Sequence, residues 1–238
     1  MSYICRTLRP VPFAASTPPH KRLSDYTGLR YDATVVRHAP HQVRLIGGIW
    51  KRTRLPVLDL VALRPTPDIV RETLFNWLGQ KLDGLVCLDL FAGTGALGFE
   101  AASRGAKRVV MVDRDERITA QMGEIRKKLN TQSIAIVRAD ALQLLAGLAP
   151  AEFDIAFLDP PFDSDLLERS LPPVLPLIAP GGAIYIESNR SLSGVWGAQE
   201  QPICSSILDQ PFLREWRIVR YGRAGAVYYH LLRRKNSE

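Results

Sequence analysis

The chain has 238 residues, of which 46% are hydrophobic and 23% are charged, and its formal net charge is +7. This composition is typical of a globular protein with a core of its own, and no apolar run is long enough for a membrane-spanning helix. Three widely spaced cysteines and four histidines predict neither a disulfide framework nor a metal site, so we expect a cytoplasmic protein that binds no metal.

The excess positive charge lies in the first quarter of the chain. Residues 1–64 contain 11 Lys and Arg against 3 Asp and Glu, whereas residues 65–238 contain 20 against 21. Residues 1–42 are rich in proline, serine, threonine and arginine and show no sustained hydrophobic period, which predicts a disordered leader. The basic residues that follow this leader predict a polyanion as partner, with nucleic acid as the first choice.

Residues 43–64 predict a small basic β-hairpin extension ahead of a larger domain, residues 65–238. Basic side chains beside an aromatic ring can follow a phosphate backbone and stack on a base. A solvated, charged hairpin explains the same pattern equally well. The side chains concerned are Arg44, Trp50, Lys51, Arg52 and Arg54.

From residue 66 onward, helical patterns alternate with apolar strands. Thr66 and Pro67 predict the N-terminus of a helix. Apolar residues at helical spacing predict its buried face: Ile69, Val70, Leu74, Trp77 and Leu78. Strands are predicted at 85–90, 108–112, 134–138, 153–158 and 183–187, the last after a turn at Gly181 and Gly182, and a closing hairpin at 216–220 and 226–232. This alternation predicts an α/β fold with a doubly wound, mostly parallel sheet.

The turn after the first of these strands predicts a site for a nucleoside-bearing ligand. Gly93, Gly95 and Gly98 match G-x-G-x-x-G, and Asp113 follows Gly93 by 20 residues, which also fits a dinucleotide-binding fingerprint. The glycines let backbone N–H groups approach a ligand closely. Asp89, directly before the turn, favours a ligand with an ammonium group over one with two phosphates. Three later strands also end in acids: Asp113, Asp140 and Asp159.

The segment Asp159-Pro160-Pro161-Phe162 follows a buried strand and predicts the reacting site. The prolines stiffen the backbone, so a carboxylate and rigid carbonyl acceptors lie at the carboxyl edge of the sheet, where ligands bind in such folds. Phe162 offers a flat face on which a planar ring can stack. These features suit the exocyclic amine of a nucleobase. The alternative is a proline-rich turn that simply ends a strand.

The motifs at Asp89–Gly95 and Asp159–Phe162 resemble those of class I S-adenosyl-L-methionine-dependent amino-methyltransferases. Arg44–Gly48 with Leu55-Pro56, followed by Arg64–Asn76, more closely resembles the bacterial small-subunit (16S) ribosomal RNA guanine-N2 methyltransferases, the RsmD family. The resemblance extends from Val43 to the C-terminus. It departs at Ile69, where the family usually has arginine.

This resemblance implies a seven-stranded sheet with a reversed final hairpin, in a catalytic domain of residues 65–238, and S-adenosylmethionine as cofactor. The implied cofactor contacts are Asp89, Phe91, Ala92, Gly93, Thr94, Gly95, Asp113, Arg114, Asp140 and Ala141. The implied catalytic residues are Asp159, Pro160, Pro161 and Phe162. The implied RNA contacts add Arg64 and Arg71 to the hairpin residues named above.

The expected reaction is methyl transfer to the N2 amine of a guanine that has been swung out of its stack. We expect the protein to act as a monomer on ribosomal RNA within an assembling small subunit. Three alternatives stay open at this point. They are an amino-methyltransferase for DNA adenine or a protein side chain, a nicotinamide-dependent oxidoreductase, and a non-catalytic RNA-binding module.

Overall fold

A computed structural model describes residues 42–58, 66–192 and 215–234 of the chain. The predicted leader, apart from Gln42, and the predicted RNA contact Arg64 lie outside the described residues. Within the described ranges, no helix is both long and apolar enough to cross a membrane.

Two sheets are present in the described part of the chain. The small one pairs β1 (Gln42–Arg44) with β2 (Arg54–Pro56), antiparallel. The strands of the large one are β3 (Val86–Asp89), β4 (Arg108–Asp113), β5 (Ile134–Arg138), β6 (Phe153–Leu158), β7 (Ile178–Ser188), β8 (Trp216–Ala224) and β9 (Val227–Arg234). Their order is β5-β4-β3-β6-β7-β9-β8. Strands β3 to β7 run parallel, while β9 is antiparallel to both β7 and β8.

Helices cover both faces of the large sheet. They are α1 (Asp68–Leu78), α2 (Ala96–Ser103), α3 (Glu116–Lys128), α4 (Ala141–Leu145) and α5 (Leu166–Val174). Successive strand side chains point to opposite faces. Phe157 therefore packs in the core with α1, α2 and α3, whereas Leu158 packs in the core with α4 and α5. The predicted doubly wound, mostly parallel sheet with a small N-terminal hairpin is confirmed.

Three local expectations differ from the structure. Helix α1 begins at Asp68 with Pro67 as its N-cap residue, so Thr66 does not cap it. Ile69, expected on the buried face of α1, is 61% exposed. The glycines Gly181 and Gly182 lie inside β7, where the pairing register with β6 shifts, instead of forming a turn before the strand.

Candidate active site

Asp89 lies at the carboxyl end of β3 and is buried, with 2% of its surface exposed. Its Oδ2 accepts a hydrogen bond from the Gly98 backbone N–H at 2.9 Å. The pKa of Asp89 is raised to about 7: burial raises it most, the Gly98 hydrogen bond lowers it, and the charges of Asp159 and Asp113 also raise it. A cationic ligand beside this carboxyl group would stabilise its ionised form.

Asp113, at the end of the neighbouring strand β4, accepts two backbone hydrogen bonds. Gly93 N–H donates to its Oδ2 at 3.0 Å, and Asp115 N–H donates to its Oδ1 at 2.9 Å. Partial burial raises the pKa of this carboxyl, and the two backbone bonds oppose that rise. The glycine turn thus holds both acids, Asp89 and Asp113, at the edge of the sheet.

The backbone N–H groups of the glycine turn have hydrogen-bond partners other than those expected. The sequence predicted that they face a ligand, but the Gly93 and Gly98 N–H groups donate to the two acids of the chain itself. Gly93 and Gly95 adopt left-handed backbone angles, with φ of 51° and 76°. A Cβ atom at Gly95 would lie 2.6 Å from Met111 Cε, so the turn requires glycine there. The turn therefore presents carboxyl groups, which a pyrophosphate would be repelled by.

The other predicted cofactor residues surround this turn or follow β5. Phe91 is half-buried, Ala92 and Thr94 are buried, and Arg114 is exposed. Asp140 is the N-cap of α4, and its Oδ1 accepts from two backbone N–H groups at 3.0 and 3.1 Å. Ala141, the first residue of α4, is buried.

Asp159 follows the last residue of β6, at the same edge of the sheet as Asp89. Strands β3 and β6 are neighbours, with Asp89 paired in register with Phe157. Thr66 Oγ1 donates a hydrogen bond to Asp159 Oδ2 at 3.4 Å. Burial raises the pKa of Asp159, and the Thr66 hydroxyl lowers it. Thr66, expected to cap a helix, thus contacts a predicted catalytic residue.

The three residues after Asp159 line a cavity of about 140 Å³. Pro160 is buried, Phe162 is half-buried and Pro161 is exposed. The rest of the lining comes from α5 and the residues just before it, and from the end of β7 and the residues just after it. These residues are Ser164, Leu167, Glu168, Glu187, Ser188, Asn189 and Arg190. Three of the four predicted catalytic residues therefore line one recess, and Asp159 directly precedes them in the chain.

Two residues of β7 were not predicted for this site. Glu187 is buried, with 2% of its surface exposed, and its Oε1 accepts a hydrogen bond from the Tyr185 hydroxyl at 2.9 Å. Burial raises the pKa of Glu187 well above its usual range, and the charge of Asp159 adds to the rise. The signal in the sequence was an acid that ends an apolar strand, the same signal that marked Asp89 and Asp159.

The loop of the basic hairpin is anchored on α2. The Ile46 N–H donates to Glu100 Oε2 at 2.8 Å, and the Trp50 N–H donates to Ser103 Oγ at 2.9 Å. A Cβ atom at Gly48 would lie 1.8 Å from the Ser103 carbonyl oxygen, so the loop can approach α2 this closely only with glycine there. The hairpin is therefore held in a fixed position against the large sheet domain.

The structure contradicts the prediction that Arg71 contacts RNA. This side chain is fully buried and forms ion pairs with Asp68 at 2.5 Å and with Glu100 at 3.6 Å. Its Nη2 also donates to the Arg44 carbonyl at 2.8 Å. Glu100 in turn pairs with Arg104 at 2.8 Å. Arg71 therefore holds the hairpin to α1 and α2 and is not available to a polyanion.

The remaining basic residues of the hairpin point outward. Lys51, Arg52, Arg54 and Arg44 are exposed, and Trp50 is half-buried. Arg44 forms an exposed ion pair with Asp68 at 3.2 Å. Such exposed pairs contribute little stability and exchange readily with a phosphate group. These four cations stay predicted contacts for a polyanion.

Comparisons with known proteins identify relatives of this chain. The family model described as "Conserved hypothetical protein 95" matches residues 43–202. The chain is 33% identical to ribosomal RNA small subunit methyltransferase D of Haemophilus influenzae, over 82% of this chain and 95% of that protein. It is 35% identical to the Escherichia coli protein of the same name, over 73% of this chain and 91% of that protein.

Solved structures agree with these sequence matches. A presumed methyltransferase of Escherichia coli aligns with a TM-score of 0.65 and 33% identity, covering 82% of this chain and 99% of that one. A presumed methylase of Haemophilus influenzae aligns with a TM-score of 0.63 and 31% identity. The resemblance predicted from the motifs is confirmed, and the chain belongs to the family of ribosomal RNA small subunit methyltransferase D.

Proposed function

We propose that this protein transfers a methyl group from S-adenosylmethionine to the exocyclic N2 amine of a guanine in small-subunit ribosomal RNA. The observation that carries the proposal is the row of carboxyl groups at one edge of the sheet. Asp89 and Asp113 flank the glycine turn, and Asp159 opens the Asp-Pro-Pro-Phe segment. The names of the relatives from Haemophilus influenzae and Escherichia coli support methyl transfer to small-subunit ribosomal RNA.

The residues at the glycine turn fit S-adenosylmethionine better than a dinucleotide. Asp89 is a buried acid with a raised pKa, so the ammonium of a methionine moiety would stabilise it. Asp113 retains lone pairs for ribose hydroxyls beyond its two backbone bonds. Asp140 and Ala141 would meet the adenine amine, with Phe91–Gly95 and Arg114 around the nucleoside. When bound, the cofactor supplies an electrophilic methyl group on sulfur.

The Asp159 segment would hold the accepting amine. The Asp159 carboxylate and the Pro160 carbonyl would each accept one N–H bond of the amine, and Phe162 would stack on the base. The lone pair of this amine is delocalised into the ring, so it is a poor nucleophile unless it is aimed. Fixing the direction of this lone pair can lower the reaction barrier by several kcal/mol, on the order of the effects seen in oriented reactions. As the nitrogen–carbon bond forms and the sulfur–carbon bond breaks, the two acceptors would stabilise the positive charge that develops on nitrogen. The methylated nitrogen would then lose one proton to the Asp159 carboxylate.

The basic hairpin would bind the RNA around the target base. Its exposed cations, Arg44, Lys51, Arg52 and Arg54, can pair with phosphates, and Arg64 stays a proposed contact. Swinging a base out of a folded RNA costs stacking energy, which a single hairpin offsets poorly. We therefore propose that the target is ribosomal RNA within an assembling small subunit. We also propose that the enzyme acts as a monomer in the cytoplasm. The hairpin, residues 43–64, and the catalytic domain, residues 65–238, would divide RNA binding and chemistry between them.

Methyl transfer to small ribosomal subunits that lack the modification tests this proposal. Labelled S-adenosylmethionine is supplied with either intact subunits or protein-free ribosomal RNA, and the RNA is then digested to nucleosides. N2-methylguanosine is expected, with the intact subunits as the better substrate. Labelled methyladenosine would overturn the guanine assignment. Transfer to neither substrate, with the cofactor still bound, would point to DNA or a protein side chain as the acceptor.

A further inference from the structure

One acid at the sheet edge, Glu187, has no part in the mechanism above. Leu158 of β6 pairs in register with Ile186 of β7, so Asp159 and Glu187 occupy the next positions along two parallel neighbours. Because side chains alternate between faces, both point to the face that carries Phe157 and Tyr185. Glu187 lines the recess together with Pro160, the residue that follows Asp159.

The hydrogen-bond partners of these two acids come from side-chain hydroxyl groups. Tyr185 donates to Glu187 at 2.9 Å and Thr66 donates to Asp159 at 3.4 Å. The Thr66 hydroxyl also lies within hydrogen-bond reach of Glu187, so two acids share its single proton. The positive charge of Arg71 lowers the pKa of Glu187, but Arg71 forms its ion pairs with Asp68 and Glu100. A buried acid beside a second acid is costly unless further donors meet it. The pair is therefore suited to a ligand that brings two adjacent N–H donors.

Guanine carries such donors on its Watson–Crick edge. Its N1–H lies next to its N2 amine, so two neighbouring acceptors can meet both groups at once. Adenine has an acceptor at N1, and a carboxylate facing that atom would be repelled. A base that presents an N1 lone pair would thus leave a buried acid without a partner.

We propose that Glu187 accepts the N1–H of the target guanine while Asp159 holds the N2 amine, so that Glu187 is the residue that selects guanine. This inference rests on the proposed function, because it assumes that guanine N2 is the methyl acceptor. Tyr185 is a positioning residue in this arrangement, since its hydroxyl donates a hydrogen bond to Oε1 of Glu187.

The test compares guanine with 2-aminopurine at the methylated position of a semi-synthetic ribosomal RNA, assembled into small subunits. 2-Aminopurine keeps the N2 amine but has a lone pair in place of N1–H. Wild-type protein should prefer guanine by about 100-fold or more in kcat/KM, as sites built around a substrate hydrogen bond do. Glu187→Gln can either accept from N1–H or donate to the N1 lone pair. This variant should reduce the preference to less than about tenfold.

A control is Asp163→Asn, which changes an exposed acid on the segment that follows Phe162. This variant should keep the wild-type preference for guanine. Thermal unfolding and cofactor binding of each variant show whether the protein is folded. Tyr185→Phe should raise KM for guanine-containing subunits more than it lowers kcat, because it loosens Glu187 without removing it.

Each result separates the inference from the proposed function. If Glu187→Gln loses activity on both bases equally and keeps the guanine preference, the residue is structural and the inference is overturned. N2-methylguanosine formed by the wild-type protein would then still support the proposed function. If the wild-type protein forms no N2-methylguanosine on the guanine subunits, the proposed function fails and the inference fails with it.

Discussion

The two halves of the acidic sheet edge are held by different kinds of donor. At β3 and β4, Asp89 and Asp113 accept from the backbone N–H groups of Gly98 and Gly93. At β6 and β7, the acids accept from side-chain hydroxyl groups. A backbone donor is fixed by the fold of the turn, whereas a hydroxyl donor rotates about one bond. We therefore propose that the first half is preformed for one ligand and that the second half exchanges its donors for those of a substrate.

The largest effect is expected from Asp159→Asn on the exchangeable side. The variant keeps the shape of the side chain but removes the charge that would stabilise the methylated amine. We expect kcat to fall by at least about 100-fold, as when a donor or acceptor of a reacting group is lost. Cofactor affinity, measured by titration calorimetry, should stay within about threefold of wild type, since the proposed cofactor contacts lie on the other half.

The control for this prediction is Asp163→Asn, which changes an exposed acid four residues along the same segment. Its kcat should be close to that of wild type. An equal loss of turnover and cofactor affinity in Asp159→Asn would show that Asp159 supports the fold of both halves and would remove the distinction drawn between them.

A smaller effect is expected from Gly98→Ala on the preformed side. The new Cβ would lie 2.7 Å from Met111 Cγ and 3.0 Å from Asp89 Oδ2, so it would displace the acid or the turn. We expect the Kd for the cofactor to rise by about 10- to 100-fold, which corresponds to about 1.4 to 2.8 kcal/mol. Gly123→Ala in α3 is the matched control, because a Cβ there meets nothing within 4 Å. Unchanged cofactor affinity in Gly98→Ala would contradict a preformed site.

The affinity for the cofactor should also depend on pH through Asp89. The raised pKa of this acid, about 7, means that the free protein holds it partly protonated near neutrality. An ammonium group favours the ionised form, so binding should release a proton and tighten as pH rises from about 5 to about 7. Affinity should change by up to about tenfold per pH unit over that range. Calorimetry in buffers of different ionisation enthalpy measures the released proton, and Asp89→Asn should abolish the release.

The same pKa affects the stability of the cofactor-free protein. Because the folded-state pKa of Asp89 lies above its ordinary value of 3.8, its contribution to stability is fully present below that value. This contribution should be lost as pH rises through about 7. Denaturant unfolding of wild type and Asp89→Asn at several pH values would show the difference. A pH dependence shared by both proteins would assign the effect to other groups.

The smallest effect is expected from Thr66→Val. Thr66 donates to Asp159 and lowers its pKa, so the variant should raise that pKa further. The rising limb of the pH–rate profile should then move to higher pH, because the proposed reaction needs ionised Asp159. At neutral pH we expect a loss of turnover of about three- to tenfold, the size of one hydrogen bond. An unshifted profile would show that the Thr66 hydroxyl does not affect the pKa of Asp159.

The sequence by itself determined the order of elements and the acids of the sheet edge. Buried parallel strands read as apolar runs, and a glycine turn or a proline pair marks where each run ends. Asp89, Asp113 and Asp159 were therefore placed correctly at strand ends from local patterns alone. Glu187 also ends an apolar strand, but the order of residues along the chain does not show that it lies beside Asp159 across the sheet.

Only the tertiary structure decided which distant residues meet. The register of β6 against β7 places Glu187 beside Asp159, and Thr66 reaches Asp159 from 93 positions away in the chain. The family resemblance implied that Arg71 contacts RNA, yet its side chain is buried and Glu100 and Asp68 compensate its charge. Such compensation depends on contacts between separate elements, and local sequence patterns hold no record of them.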